Sequence, residues 1–171
     1  MPHTHHSKLP KAPGNYRELD THEYGAHFKQ DCDKELSNLE KRNCWRQIPR
    51  SDAQTSLIPL KWVFTYKLDA NGHLIRCRSR IVVRGDLQAD ETIISTYAAT
   101  LTARAFRVVT AIAAFFDLEM KQYDIVNAFI NASRAASSAP VACHLPDGYK
   151  KHGFCVEVDR ALYGLRDSLV L

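Results

Sequence analysis

The chain has 171 residues, a net charge of +4 and a hydrophobic share of 45%. This length fits one domain or a fragment of a larger one, and the apolar share is sufficient for a packed core. The modest positive charge permits nucleic-acid binding without requiring it, and no apolar run approaches the ~18 residues that a membrane helix needs. The five cysteines include no CxxC pair and no signal peptide is visible, so we expect free thiols and an intracellular protein, cytoplasmic or nuclear.

The first residues predict a tail followed by a helix. Residues 1–19 contain several histidines and prolines and little apolar surface, which is typical of a disordered segment. Asp20 and Glu23 have the spacing of a capping box, and apolar residues at helical spacing follow them. We therefore expect an amphipathic packing helix after Asp20, and a domain that covers residues 20–171.

A β-hairpin is predicted between residues 60 and 85. Residues 61–68 are rich in β-branched and aromatic side chains, and Asn71-Gly72 is a dipeptide that favours the positive φ angles of a tight turn. The return strand alternates in character. Its apolar or small side chains, expected on one face, are Cys77, Ser79, Ile81 and Val83.

The same hairpin carries an unusual excess of positive charge. Asp69 is its single acid, and its basic residues are Lys61, Lys67, Arg76, Arg78, Arg80 and Arg84. Guanidinium groups on every second residue of a strand lie roughly 6.6 Å apart, close to the spacing of successive phosphates. The alternative is a charged face that blunts an exposed sheet edge. Because such an edge does not need charges of one sign, we favour phosphate contact.

A second helix and a strand are predicted next. Thr102 is a suitable N-cap, and the side chains expected on the buried face of the helix are Phe106, Val109, Ile112, Ala113 and Phe116. The strand that follows ends at Asp124. An aspartate at the end of a strand usually caps a helix or forms a turn, but it can also present its carboxylate to a metal ion.

Short strands are expected at residues 45–48, 141–145 and 154–158, so the chain is assigned to the α+β class. Two cysteines and two histidines between residues 143 and 155 could be considered as zinc ligands, namely Cys143, His144, His152 and Cys155. Their spacings match no regular zinc site, and a cysteine in a strand is more often a small core residue. We therefore expect no zinc site here.

Four stretches, taken in order, carry a family resemblance. They are Lys-Trp-Val-Phe at 61–64 with the turn at 71–72, Arg-Ser-Arg-Ile-Val-Val-Arg-Gly at 78–85, Gln-Tyr-Asp-Ile-Val-Asn-Ala-Phe at 122–129, and Ala-Leu-Tyr-Gly-Leu-Arg at 161–166. Together they closely resemble the reverse transcriptase of Ty1/copia-type LTR retrotransposons. The resemblance implies a partial right-hand polymerase, with fingers, the first part of the palm, and an antiparallel sheet with packed helices.

In the fingers, the resemblance implies contacts with a nucleotide and with a nucleic-acid strand. Either Arg78 or Arg80 would meet the triphosphate of an incoming deoxynucleotide. Lys61, Arg76 and Arg84 would contact the RNA or DNA template-primer.

In the palm, the resemblance implies the catalytic and nucleotide-binding residues. Asp124 would be the first catalytic aspartate and would hold magnesium together with the backbone carbonyl of Ile125. Phe129 would occupy the space of a ribose 2′-hydroxyl, and Tyr163 with Gly164 would line the nucleotide pocket. Phosphoryl transfer of this type uses two cations held by converging carboxylates.

The chain departs from the family at this point, because it contains no Asp-Asp pair and ends at Leu171, before the family's Tyr-x-Asp-Asp hairpin. We therefore expect a truncated fragment that is inactive alone, whose missing palm half is lost or supplied by another chain. Two alternatives stay open: a non-catalytic nucleic-acid-binding fragment, and a relic with no selected function.

Overall fold

The computed structural model describes residues 4–88, 101–123, 128–131, 134 and 139–166. The helices in these ranges are α1 (Gly25–Lys41), α2 (Ala103–Phe115) and α3 (Ala128–Asn131), and the strands are β1 (Trp45–Pro49), β2 (Leu60–Leu68), β3 (Leu74–Val83), β4 (Ala142–Cys143) and β5 (Phe154–Val158). The strands form one two-stranded and one three-stranded antiparallel sheet. The predicted α+β class is therefore confirmed, whereas the assignment of these elements to fingers and palm stays a prediction.

Strands β2 and β3 form the predicted hairpin, in a register that pairs Leu60 with Val83 and Lys67 with Arg76. The turn is longer than a two-residue Asn-Gly turn. The Asp69 carboxylate accepts hydrogen bonds from the backbone N–H groups of Asn71 (2.9 Å) and His73 (2.8 Å). Only Gly72, with φ +80°, takes the positive angle, so the expectation that Asn71 would share it is wrong.

Helix α1 packs against β3 through a narrow apolar stripe. Phe28 and Cys32 are completely buried, and the buried strand residue Ser79 joins the two elements. Its hydroxyl donates to the Phe28 carbonyl (3.0 Å), and its N–H donates to the Asp31 carboxylate (2.7 Å). The Asp31 carboxylate therefore accepts the hydrogen bond that a neighbouring strand would otherwise accept from the edge of β3.

The start of α1 differs from the predicted capping box. The helix begins at Gly25 without a side-chain cap, and Asp20 instead ends a 3-10 turn and accepts a hydrogen bond from the Lys29 ammonium (2.6 Å). The physical reason lies in Leu19, whose side chain is buried in the core. The turn that contains Leu19 packs directly against the helix start, because a methyl group at Gly25 would overlap the Leu19 carbonyl oxygen.

The three-stranded sheet brings distant parts of the chain together. Its order is β1–β5–β4, with Trp45 opposite Val158 and Pro49 opposite Phe154. An isolated bridge between Ile58 and Cys143 connects this sheet to the segment that enters β2. The buried side chains of both sheets and of α1 form one continuous hydrophobic cluster.

Helix α2 begins after Thr102, whose hydroxyl accepts a hydrogen bond from the Ala105 N–H as predicted. Its expected buried face is not covered by the described residues. Ile112 and Phe116 are 48% and 64% exposed, and Ala113 is the single buried residue of the helix. Within the described ranges, no helix combines the length and the apolar character needed to cross a bilayer. The intracellular location stays a prediction.

Residues that precede α1 contact the hairpin. The Leu74 N–H donates to the Thr4 carbonyl (2.9 Å), and the His6 N–H donates to the Gly72 carbonyl (2.8 Å). The ring of Tyr16 lies 6.3 Å from that of Trp62. The division between residues 1–19 and 20–171 stays a prediction, but the segment from Thr4 onward lies against the hairpin.

Candidate nucleic-acid interface

The alternation of β3 places its arginines together on one face of the hairpin. Cys77, Ser79, Ile81 and Val83, which were predicted to share the opposite face, are all buried. The cross-strand register sets Lys67 opposite Arg76 and Lys61 opposite Val82, and directly paired residues share a face of a sheet. We call this surface the basic face, and its members are Lys61, Lys67, Arg76, Arg78 and Arg80.

Arg84 does not continue the basic face. β3 ends at Val83, and the Arg84 guanidinium forms a two-point ion pair with Asp86, with N–O distances of 2.8 and 2.7 Å. That contact holds the pKa of Asp86 below its usual value. The strand position predicted for Arg84 is therefore wrong, while its contact with nucleic acid stays a prediction.

Helix α1 adds acidic groups beside the basic face, which the hairpin sequence alone does not reveal. Asp31 and Glu35 line a cleft of about 300 Å³ together with Arg76 and Arg78. Burial, and then the charge of Asp31, raises the pKa of Glu35, and the nearby arginines oppose that shift. Asp31 and Glu35 are four residues apart, and this spacing puts them on one side of the helix. That spacing is the sequence feature from which the acidic side could have been predicted.

Arg80 lies beside the Tyr-Gly-Leu stretch that the resemblance assigns to the nucleotide pocket. Its guanidinium carbon is 5.9 Å from the centre of the Tyr163 ring, a distance that suits a cation–π contact. The Arg80 Nε atom is buried and has no hydrogen-bond partner among the described residues. The Arg80 guanidinium therefore lies against the Tyr163 ring. Its buried Nε–H has no acceptor within the described ranges.

Backbone contacts explain why Tyr163 reaches this position. The Val83 N–H donates to the Tyr163 carbonyl (2.8 Å), and Gly164, with φ +87°, lies so close to the end of β3 that a methyl group on its Cα would overlap the Val83 carbonyl oxygen. The structure thus brings together Arg80, Tyr163 and Gly164, three of the residues singled out from the sequence.

The remaining predicted palm residues are not tested. Asp124 and Ile125 lie outside the described residues, and Phe129 is described only as part of α3 (Ala128–Asn131). Within the described ranges, no group of three or more histidine, cysteine, aspartate or glutamate side chains is arranged to hold a metal ion. The magnesium site predicted at Asp124 and Ile125 therefore stays a prediction.

The five cysteines are all buried free thiols. Burial raises the pKa of Cys143 to about 12 and that of Cys32 and of Cys77 to about 11. Free thiols were expected from the sequence, and the structure confirms them. Buried neutral thiols of this kind serve as small core residues rather than nucleophiles.

Comparison with known proteins identifies a family and several relatives. Residues 42–170 match the family model of reverse transcriptase (RNA-dependent DNA polymerase). The chain is 25% identical to the retrovirus-related Pol polyprotein from transposon TNT 1-94 of Nicotiana tabacum, over 92% of the chain and 12% of that protein. It is 21% and 23% identical to the Pol polyproteins from transposons RE2 and RE1 of Arabidopsis thaliana, over 82% and 72% of the chain.

The chain therefore spans about a tenth of the length of these relatives, since the covered shares are 12%, 10% and 8%. No solved structure gives a significant match.

Proposed function

The chain belongs to the reverse transcriptase (RNA-dependent DNA polymerase) family, and we propose that it forms the fingers and the first part of the palm of such an enzyme. The resemblance that the four motifs predicted is confirmed by the family match and by the transposon Pol relatives. In this proposal the basic face binds a template-primer, and the region around Tyr163 receives a deoxynucleotide.

The contact between Arg80 and Tyr163 carries this proposal. Two motifs that are far apart in the sequence meet there, and the guanidinium keeps a buried donor without a partner among the described residues. A phosphate oxygen would satisfy that donor with a charge-assisted hydrogen bond. The sequence did not decide whether Arg78 or Arg80 meets the triphosphate. The position of Arg80 beside Tyr163 favours Arg80, and it leaves Arg78 on the outer part of the basic face.

The roles of the other residues follow from the resemblance. Lys61, Arg76 and Arg84 would contact phosphates of the template-primer, and Phe129 would select deoxynucleotides. Asp124 and the carbonyl of Ile125 would hold magnesium, which when bound would neutralise charge on the phosphates. Because the 171 residues contain no Asp-Asp pair, we propose that these residues alone bind nucleic acid without extending a primer.

A binding titration tests the basic face. Fluorescence anisotropy with a fluorescein-labelled RNA–DNA primer-template would compare the wild-type chain with Arg78→Gln/Arg80→Gln. The matched control is Lys8→Gln/Lys11→Gln, which removes the same charge from two exposed residues outside the hairpin. We expect the arginine variant to lose affinity, and the slope of log K against log[salt] to fall by about 0.9 for each lost phosphate contact.

Two results would contradict the proposal. If the arginine variant and the lysine control bind with equal affinity and equal salt dependence, the basic face is not the binding surface. If the purified chain incorporates deoxynucleotides in a template-dependent primer-extension assay, the statement that these residues are inactive alone is wrong.

A further inference from the structure

A second concentration of basic side chains lies in the three-stranded sheet and shares no residue with the hairpin. A pocket of about 470 Å³ opens between the end of β1 and the connection from β4 to β5. We call it the sheet pocket, and it is lined chiefly by Arg50, His144, Lys150, Lys151, His152 and Phe154. Lys150, Lys151 and His152 are consecutive in the sequence, but Arg50 is distant from them, and only the folded chain brings it to the same pocket.

Backbone hydrogen bonds fix the walls of the sheet pocket. Pro49 and Phe154 are partners in the β1–β5 ladder, and the next residue, Arg50, donates its N–H to the Gly153 carbonyl (2.9 Å). The Phe154 N–H donates to the Lys151 carbonyl (3.3 Å). The cationic side chains therefore start from a backbone that is held on both sides of the opening.

Most of the positive charge in the sheet pocket is not neutralised by described acids. Lys150 is paired with Asp147 (2.6 Å), and the Lys151 ammonium donates to the neutral amide of Gln47 (3.1 Å). The carboxylates of Glu157 and Asp52 both act on the neighbouring Cys155, but Glu157 is paired with Arg46 and Asp52 accepts the Ser51 hydroxyl (2.8 Å).

Within the described ranges, Arg50, Lys151 and His152 form no ion pair. Burial lowers the pKa of His144, and the charges of Arg50 and Lys150 lower it further. That shift agrees with a shared positive environment inside the pocket.

An aromatic ring stands beside these cations. Phe154 is 44% exposed although it lies in a strand of the sheet, and it lines the same pocket as Arg50 and Lys151. Exposed rings next to cationic grooves are the common means of holding single-stranded nucleic acid, because bases stack on the ring while phosphates meet the cations. An acidic peptide or a free phosphate would use the cations and leave the ring unused.

We propose that the sheet pocket is a second nucleic-acid contact, which takes a single strand with its phosphates on Arg50, Lys151 and His152 and one base against Phe154. This contact is separate from the basic face and does not depend on it. A strand bound there would be held by the three-stranded sheet, independently of any nucleotide beside Tyr163.

The test uses the complete chain and two labelled probes, a 12-nucleotide oligo(dT) and an abasic deoxyribose-phosphate strand of equal length. Arg50→Gln/Lys151→Gln should lower the affinity for both probes by about tenfold or more at low salt, and should reduce the salt slope by about 1.4, which is about 0.7 for each phosphate contact to a single strand. Phe154→Leu should lower the affinity for oligo(dT) roughly fivefold and leave the affinity for the abasic strand unchanged.

The controls separate this proposal from the previous one. Lys8→Gln/Lys11→Gln removes the same charge elsewhere, and Arg78→Gln/Arg80→Gln addresses the basic face. If Arg50→Gln/Lys151→Gln has the same affinity as Lys8→Gln/Lys11→Gln, the proposal is overturned. This holds even when Arg78→Gln/Arg80→Gln loses affinity. Equal effects of Phe154→Leu on both probes, or no effect on either, would also overturn it, since the base would then not contact the ring.

A second measurement does not rely on variants. An oligo(dT) with 5-iododeoxyuridine substitutions, irradiated in complex with the wild-type chain, should form a crosslink on the peptide that contains Phe154. Crosslinks confined to peptides of the hairpin would exclude the sheet pocket as a strand contact.

Discussion

The close approach of Gly164 to the end of β3 makes Gly164→Ala a sharp test of how the candidate site is assembled. The alanine would have to adopt φ +87°, and its methyl group would overlap the Val83 carbonyl oxygen. A left-handed backbone costs a non-glycine residue about 1–2 kcal/mol, and forcing extra volume into a packed contact typically costs about 1–3 kcal/mol more. We expect Gly164→Ala to lower the free energy of unfolding by about 2–5 kcal/mol in total.

The chain offers a matched control for the first of these two costs. Gly153 has a similar φ of +78°, but no atom lies within 4 Å of the place where its methyl group would be. Gly153→Ala should therefore show the backbone cost alone, about 1–2 kcal/mol. The difference between the two variants isolates the contact between Gly164 and Val83.

Urea denaturation followed by tryptophan fluorescence would measure both variants. With a slope near 2 kcal/mol per molar urea, a loss of about 3 kcal/mol moves the midpoint by roughly 1.5 M. The fluorescence comes from Trp45 and Trp62, which lie in the two different sheets. Equal midpoints for Gly164→Ala and Gly153→Ala would refute the close packing of the Tyr163-Gly164 segment on β3.

Two further predictions concern titratable side chains. Because burial raises the pKa of Cys143 to about 12 and that of Cys32 to about 11, we expect no fast-reacting thiol with Ellman's reagent at pH 8 in the native protein and five in urea; a rapidly labelled native cysteine would contradict the described burial. The pKa of His144 is lowered from its usual 6.5 by burial and by nearby positive charge, so the unfolded state takes up the proton first as the pH falls. The free energy of unfolding, measured by urea titration, should therefore be highest above pH 6.5 and fall as the pH decreases below it. His144→Gln should make this fall smaller. An unchanged fall in the variant would show that other groups cause it.

The local parts of the fold could be predicted because their signals are local. The alternation of β3 gives the buried and basic faces without knowledge of the rest of the chain, and Asp69 to Gly72 marks the turn. Helix α2 shows the limit of the same reasoning. Its periodicity predicts a buried apolar face, but periodicity does not say what covers that face, and Ile112 and Phe116 are exposed among the described residues.

The candidate site could be predicted only in part. The motifs indicated Arg80 and Tyr163 separately, but their contact depends on a backbone hydrogen bond from Val83 and on the absence of a side chain at Gly164. Glu35 was missed because it approaches the arginines through the packing of α1. The sheet pocket could not be predicted for a similar reason, since the register of β1 with β5 is what brings Arg50 beside Lys151 and Phe154.

Both proposed surfaces depend on the segment from residue 139 to residue 166. This segment supplies β4 and β5, which complete the three-stranded sheet with β1, and the connection between them lines most of the sheet pocket. The same segment ends in Tyr163-Gly164, which docks on β3 and contacts Arg80. The hairpin alone would still carry its arginines, but it would have neither the aromatic partner of Arg80 nor the second set of cations. We therefore expect a variant that displaces residues 139–166 to weaken the proposed nucleic-acid binding at both surfaces, although the side chains of the basic face would be unchanged.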